Sequence, residues 1–191
     1  MLNRIIRRLK LVYSSLPWAR ELMKKISATE PYFRLTKGKI KVQSQKDSGG
    51  PFNLVIETSS FCNARCLMCP HPAMKRREGV MTEEVFSKIV ERVKAENLPI
   101  NKILFSGLGE PLTDPNLISR LKTFKDLGFP IRLYTNALLM TPEISQQLVD
   151  LEIDEINISF NGTNPDQYRQ VMGLDFERTK ANIEKLIELR Q

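Results

Sequence analysis

Three cysteines in one short stretch are the residues of this chain best suited to chemistry. Cys62, Cys66 and Cys69 are its only cysteines, and they follow a C-x3-C-x2-C spacing. Thiolates are the usual ligands of iron–sulfur clusters, and three of them can hold three irons of a cubane 4Fe–4S cluster. The fourth iron then has no protein ligand, and an open metal position can bind a substrate or a cofactor. The spacing therefore predicts a cluster with one iron left open.

Two other arrangements of these cysteines have to be weighed. Disulfide bonds would leave one cysteine over, and we expect a reducing compartment, the cytoplasm, in which thiols stay free to bind metal. Zinc is the stronger alternative, because His71 is the only histidine and Cys3His is a known zinc set. However, structural zinc sites usually join separated segments, whereas these cysteines share one loop. We therefore predict a cluster, expect a structural role for His71, and keep a non-catalytic zinc- or cluster-binding module as the alternative.

A second candidate site is the segment Ser106–Pro111, S-G-L-G-E-P, which directly follows a predicted strand. The glycines Gly107 and Gly109 allow backbone groups to approach a ligand closely. Their carbonyl groups can accept hydrogen bonds, and Glu110 adds a negative charge. Alone this pattern would predict a tight turn. The segment follows the cysteine-containing stretch Phe61–Pro70, called the cysteine loop from here on, and it lies at a strand end. This position favours a binding loop.

Polar residues also close the next two predicted strands. Asn136 ends the third strand, where it either binds a cofactor or caps a turn. On the fourth strand, alternation sends Asn157 and Ser159 to one face and apolar residues to the other. Polar side chains on a parallel strand are costly to bury unless they are hydrogen-bonded. A ligand beside this strand is the interpretation that we favour.

Strands and helices alternate from Pro51 onward and position these residues. Helices are predicted to begin after the capping residues Thr82 and Thr141, with others near residues 117–127 and at the end of the chain. Such alternation predicts parallel strands with helical crossovers, and ligands bind beyond the carboxyl ends of such strands. The predicted strands are Phe52–Glu57, Lys102–Ser106, Ile131–Thr135 and Glu155–Phe160.

The cysteine spacing, the G-x-G-E-P segment and the Thr135-Asn136-Ala137 segment together resemble the radical S-adenosylmethionine (radical SAM) superfamily. The resemblance implies a partial parallel β/α barrel in which the three cysteines hold a 4Fe–4S cluster. It implies that S-adenosylmethionine (SAM) chelates the fourth iron and is cleaved by one electron to a 5′-deoxyadenosyl radical, which abstracts hydrogen from a substrate. An electron donor such as a flavodoxin or ferredoxin is implied as partner. The implied SAM contacts are Gly107, Gly109, Glu110, Asn136, Asn157, Ser159 and Met68.

The chain departs from the family pattern at two positions. Met68 stands where the family commonly has an aromatic residue, and Ala137 stands where it has glycine. The segment I-E-T-S-x-x-C-N resembles the branch of peptide and protein maturases with cysteine-rich, SPASM-type extensions, which implies a peptide or protein substrate. The family barrel has six β/α units, and we count four here. We therefore expect a barrel truncated after about four units, which is either a fragment or needs a partner.

Charge divides the chain into an arm at residues 1–50 and a core at residues 51–191. Residues 1–48 hold 12 Lys/Arg and 3 Asp/Glu, whereas the remainder holds 17 and 19. Residues 1–27 have helical, amphipathic spacing, which we expect to pack on the domain in preference to an anionic membrane or RNA. No apolar run approaches the ~20 residues that span a bilayer.

Overall fold

A computed structural model gives the structure of residues 51–190. The predicted basic arm and its helix over residues 1–27 lie outside the described residues, as do residues 37–42, whose alternation predicts a short exposed strand. The strands are β1 (Phe52–Ile56), β2 (Ile100–Phe105), β3 (Ile131–Thr135) and β4 (Glu155–Ile158). The helices are α1 (Glu83–Ala95), α2 (Leu117–Asp126), α3 (Pro142–Asp150), α4 (Pro165–Met172) and α5 (Phe176–Leu189).

The four strands form one parallel sheet in the order β1-β2-β3-β4. This confirms the predicted α/β class and the order of its units. Several details of the prediction were wrong. β1 ends at Ile56, one residue before the predicted end, and β2 covers Ile100–Phe105 where Lys102–Ser106 was predicted. β4 ends at Ile158, two residues before the predicted end, although the Ser159 N–H still bonds the Thr135 carbonyl at 2.8 Å. Helix α4 was not predicted.

Alternation along the strands gives the sheet two different faces. Ile103, Phe105, Ile131 and Leu133 are fully buried and pack against apolar residues of α1 and α2. The opposite face carries polar and charged side chains, among which Lys102 and Arg132 both pair with Glu155. The carboxyl ends of the four parallel strands form one edge of the sheet. At that edge lie eight of the predicted site residues: Cys62, Cys66, Cys69, Gly107, Gly109, Glu110, Asn136 and Ser159.

The helix starts follow the predicted capping chemistry. The hydroxyls of Thr82 and Thr141 each accept a hydrogen bond from the backbone N–H three residues further on, at 3.3 Å. Helix α4 is capped by Asn164 at its start and is followed by Gly173, whose φ of +69° suits glycine. No helix within residues 51–190 has both the length and the apolar character needed to cross a membrane.

Candidate functional site

All three cysteines line one cavity at the carboxyl end of the sheet. The cavity is also lined by Ser106–Glu110 and by Tyr134, Thr135, Asn136, Ser159 and Met172. The cysteines are free thiols and partly buried, and burial raises the pKa of the Cys62 and Cys66 thiols. No three His, Cys, Asp or Glu side chains among residues 51–190 are already spaced to hold a metal ion. Metal binding by these thiols would displace their protons, because the thiolate is the form that ligates a metal.

His71 lies beside the cysteine loop but does not line this cavity. Its Nε2 is 2.9 Å from the Ser60 carbonyl oxygen and 3.3 Å from a Glu78 carboxylate oxygen. Its backbone N–H donates to the Cys69 Sγ at 3.4 Å. The ring is thus engaged with the protein, which favours the structural role over a fourth zinc ligand.

Glu57 orders the segment Ser106–Pro111, called the glycine loop from here on. Sequence reasoning did not predict this role of Glu57. Its Oε1 accepts hydrogen bonds from the backbone N–H groups of Leu108 and Gly109 at 2.7 and 3.3 Å, and its Oε2 pairs with Arg76. Burial raises the pKa of Glu57, but the bonds from Arg76 and the two amides outweigh it and lower the pKa overall. A Cβ on Gly107 would overlap this side chain. The only sequence signal was a charged residue at the end of a predicted strand.

Gly109 lies where the glycine loop crosses the start of the cysteine loop. A Cβ there would overlap the Ser59 carbonyl oxygen and lie 2.7 Å from the Ser60 Cα. The adjacent Glu110 N–H donates to the Phe61 carbonyl at 2.7 Å. Gly107 and Gly109 are therefore needed so that the glycine loop can pack closely against Glu57, Ser59 and Ser60, in addition to any close approach to a ligand.

Glu110 and Asn136 connect three loops of the site. The buried Glu110 carboxylate accepts from the Thr135 hydroxyl at 2.6 Å, the Asn136 N–H at 2.7 Å and the Leu112 N–H at 3.1 Å. Burial raises the pKa of Glu110 against these bonds. The Asn136 amide in turn donates to the Asn63 Oδ1 at 2.8 Å, between the first two cysteines. Both side chains thus fix the cysteine loop to the ends of β2 and β3.

The backbone after Asn136 explains the glycine of the family pattern. Ala137 is fully buried and has φ of +59°, in the left-handed region where glycine is favoured. The Asn136 Oδ1 accepts from the Leu138 N–H at 3.1 Å and supports this turn. Asn136 therefore caps a turn as well as lining the cavity.

The remaining predicted SAM contacts are not all in one place. Ser159 lines the cavity with the cysteines. Asn157 is exposed and pairs in register with Tyr134 on the polar face of the sheet. Met68 is 63 % exposed and is not a lining residue of the cavity. The SAM contacts themselves stay predictions for all seven residues.

Helix α4 supplies a wall of the site that sequence reasoning also missed. The carbonyls of Met172 and Val171 accept from the backbone N–H groups of Arg65 and Leu67, each at 2.9 Å. The Met172 Sδ is 3.5 Å from the Cys66 Sγ, and Tyr168 is fully buried in the same apolar cluster. The end of α4 therefore holds the segment between the first and third cysteines.

Comparison with protein families decides what kind of site this is. The model of the radical SAM superfamily matches residues 56–191, well over half of the chain. The chain belongs to the radical SAM superfamily. This confirms the predicted family, its cofactors, a 4Fe–4S cluster and SAM, and enzymatic activity as the family's role.

Curated radical SAM relatives are longer than this chain. It is 31 % identical over 140 residues to a tungsten-containing aldehyde ferredoxin oxidoreductase cofactor-modifying protein of Pyrococcus furiosus, covering 72 % of this chain and 39 % of the relative. It is 34 % identical over 134 residues to a probable GTP 3′,8-cyclase of Methanothermobacter marburgensis, covering 69 % and 43 %. The chain thus spans about two-fifths of the length of these relatives.

A solved radical SAM structure has the same arrangement of elements. The chain superposes on native anSMEcpe with bound AdoMet at a TM-score of 0.60 and 25 % identity, covering 73 % of this chain and 42 % of that one. The match supports the predicted partial parallel β/α barrel.

The residues present fit both cofactors of the family. Three unpaired thiols open on one cavity, which is the donor set that a site-differentiated cluster requires. Backbone and side-chain polar groups from Ser106, Gly107 and Ser159 line the same space. SAM carries ammonium, carboxylate and ribose groups that such polar atoms can bind.

Proposed function

We propose that this chain carries the cluster- and SAM-binding part of an enzyme that cleaves SAM reductively and abstracts hydrogen from a substrate. One observation supports it above the others: Cys62, Cys66 and Cys69 share a cavity with the glycine loop at the carboxyl edge of a parallel sheet. Ligands of such sheets bind at that edge.

Each part of the site has a role in this function. The three thiolates hold three irons and leave one iron for SAM. The Ser106–Gly109 backbone, ordered by Glu57, accepts from the SAM ammonium group, and Ser159 bonds its ribose or carboxylate. Glu110 and Asn136 hold the cysteine loop in register with β2 and β3. When bound, cluster and SAM together supply a hydrogen-abstracting radical after one-electron reduction.

The proposed substrate is a peptide or protein. The sequence resembles maturases with such substrates, and anSMEcpe has been solved with a bound Cp18Cys peptide. The polar face of the sheet below the cavity, with Tyr134, Asn157 and Arg132, offers hydrogen-bonding groups to a bound chain. The electron donor is proposed to be a flavodoxin or ferredoxin, and the compartment the cytoplasm, which keeps thiols reduced.

Product formation tests this function. The chain is purified without oxygen, reconstituted with iron and sulfide, reduced with dithionite and mixed with SAM. We expect 5′-deoxyadenosine from the wild type and none from Cys66→Ala, because that variant lacks one iron ligand. Arg169→Gln, an exposed change on α4, is the control that retains product. A colourless wild type containing one zinc would indicate the non-catalytic alternative.

A further inference from the structure

The cysteines lie on a loop that closes on itself. The Ser60 N–H donates to the Gly79 carbonyl at 2.9 Å, and the Gly79 N–H donates to the Ser60 Oγ at 2.9 Å. This Ser60–Gly79 loop therefore leaves and re-enters the body of the domain at one point. Compact loops of this kind are packed by their own side chains. The three cysteines and the loop's basic residues therefore belong to one closed segment.

A short turn folds the second half of the loop back onto the first. It begins after Cys69 and covers His71–Ala73, with the Met74 N–H donating to the His71 carbonyl at 3.0 Å. The His71 ring reaches the Ser60 carbonyl at 2.9 Å. The sequence Lys75-Arg76-Arg77 follows at once. These three cations thus lie between two fixed points of the loop, His71 and Gly79, which both bond to Ser60.

The Ser60–Gly79 loop is positively charged, in contrast to the rest of the described chain. It holds four basic residues and one acidic residue, Glu78, whereas the rest of residues 51–190 holds thirteen Lys/Arg and eighteen Asp/Glu. Arg65, Lys75 and Arg77 are exposed and form no ion pair with another residue of 51–190. Within residues 51–190, Arg76 is the one basic residue of the loop that forms an ion pair, with Glu57.

Apolar side chains of the same loop are also exposed. Leu67 is 73 % exposed and Met68 is 63 % exposed, and both lie between Cys66 and Cys69 in the chain. Phe61 before the first cysteine is also exposed. An exposed apolar group with a charged surround is the pattern of a protein-binding surface.

We propose that the Ser60–Gly79 loop is the docking surface for an acidic one-electron donor protein of the flavodoxin or ferredoxin type. The proposal rests on the function proposed above, in which the donor loses one electron and the cluster held by the cysteines gains it. Charge steers a weak, fast encounter, which suits a donor that leaves after each transfer. Leu67 and Met68 then bring the donor's redox group close to the thiols. A nucleic acid would use the cations without needing these apolar side chains.

Binding kinetics test the docking surface directly. The probe is an acidic flavodoxin, and its association rate with the reconstituted full chain is followed by flavin fluorescence at low salt. Lys75→Gln combined with Arg77→Gln leaves the Arg76–Glu57 pair intact and is expected to slow association about tenfold. The difference should vanish at about 0.5 M salt, where surface charges are screened.

The matched control removes two positive charges from another exposed surface. Lys88 and Arg92 lie on α1, where they pair with Glu84 and Glu96. Lys88→Gln combined with Arg92→Gln has the same change in net charge, and we expect association within about twofold of wild type. Equal association rates for the loop variant and the control would overturn the docking proposal.

Comparing dithionite with flavodoxin as the reductant distinguishes failure of the docking proposal from failure of the proposed SAM cleavage. Dithionite needs no docking surface. The wild type, the Lys75/Arg77 variant and the Lys88/Arg92 control should therefore cleave SAM at equal rates with dithionite. With flavodoxin as reductant, SAM cleavage should slow only in the Lys75/Arg77 variant. Failure of the wild type with dithionite would overturn the proposed function and the docking with it. Binding of a 20-nucleotide RNA or of phosphatidylserine vesicles that needs Lys75 and Arg77, with no flavodoxin binding, would overturn the docking alone.

Discussion

At the scale of single residues, Gly109 is the tightest point of the site. Its position against Ser59 and Ser60 leaves no room for a side chain. We expect Gly109→Ala to lower the free energy of unfolding by about 2 kcal/mol and to weaken SAM binding, because the glycine loop and cysteine loop must move apart. Denaturant unfolding and equilibrium binding of SAM measure the two effects.

Gly79 provides the control for this substitution. A Cβ on Gly79 meets no atom within 4 Å, and its φ is not positive. Gly79→Ala should therefore stay within about 0.5 kcal/mol of the wild type. Equal unfolding midpoints for Gly79→Ala and Gly109→Ala would contradict the assigned close approach.

Glu57 makes the stability of the glycine loop depend on pH. Its pKa lies below the ordinary 4.5, so its carboxylate contributes stability above about pH 4.5 and loses it as the pH falls through the lowered pKa. Glu57→Gln should cost on the order of 1 kcal/mol at pH 7, and this difference should shrink towards pH 3. Unfolding of the metal-free chain at both pH values measures it.

Glu91→Gln is the comparison for this pH effect, because Glu91 is exposed on α1. It should differ little from the wild type at either pH. A cost for Glu57→Gln that stays constant down to pH 3 would show that the carboxylate is not the stabilising form.

The sequence predicted the ligands of the site better than their supports. Cysteine spacing and the G-x-G-E-P segment are local patterns, so Cys62, Cys66, Cys69 and the glycine loop could be found without a structure. Glu57 could not, because its role depends on the pairing of β1 with β2, which brings it to amides about 50 positions away. The same holds for the contact of Asn136 with Asn63.

At the scale of elements, α4 is the support of the cysteine loop. Met172 is fully buried, contacts Cys66 and accepts the Arg65 N–H. Met172→Ala should lower the free energy of unfolding by about 2–4 kcal/mol and reduce the iron bound per chain, because the loop loses its wall. Met172→Leu keeps the volume and should retain most of the iron.

Gln170 on the same helix is exposed and tests whether the effect belongs to the buried face. Gln170→Ala should leave iron content and stability nearly unchanged. Unchanged iron content in Met172→Ala would contradict the role assigned to α4.

Elements differed in how well sequence predicted them. β3 and the starts of α1 and α3 were predicted from apolar alternation and threonine caps, and the structure agrees. Helix α4 has eight residues with only Tyr168 and Met172 buried, too few for helical periodicity to be visible. β4 was predicted too long because Phe160 extends the apolar alternation after the strand has ended.

At the scale of the whole molecule, β4 pairs only with β3 among the described residues. Beside it lies a groove of about 490 Å³ between α3 and α5, lined mainly by aliphatic residues that include Leu148, Ile156 and Ile187. Ile187 is 54 % exposed. A strand edge that residues 51–190 leave unpaired, together with an apolar groove, favours association with another surface.

We therefore expect the chain to self-associate as its concentration rises. Ile187→Glu should lower the average mass measured by light scattering, because it places a charge in the groove. Val85→Glu changes an equally apolar exposed residue on α1 and should have little effect. A monomer at every concentration would contradict this expectation.

In the proposed function, three thiols on one loop hold a cluster whose fourth iron binds SAM. Electron paramagnetic resonance of the anaerobically reconstituted, reduced chain tests it most directly, with and without SAM. We predict about four irons per chain and a cluster spectrum that changes when SAM is added. A protein that binds no cluster, or a spectrum that is the same with and without SAM, would contradict the account.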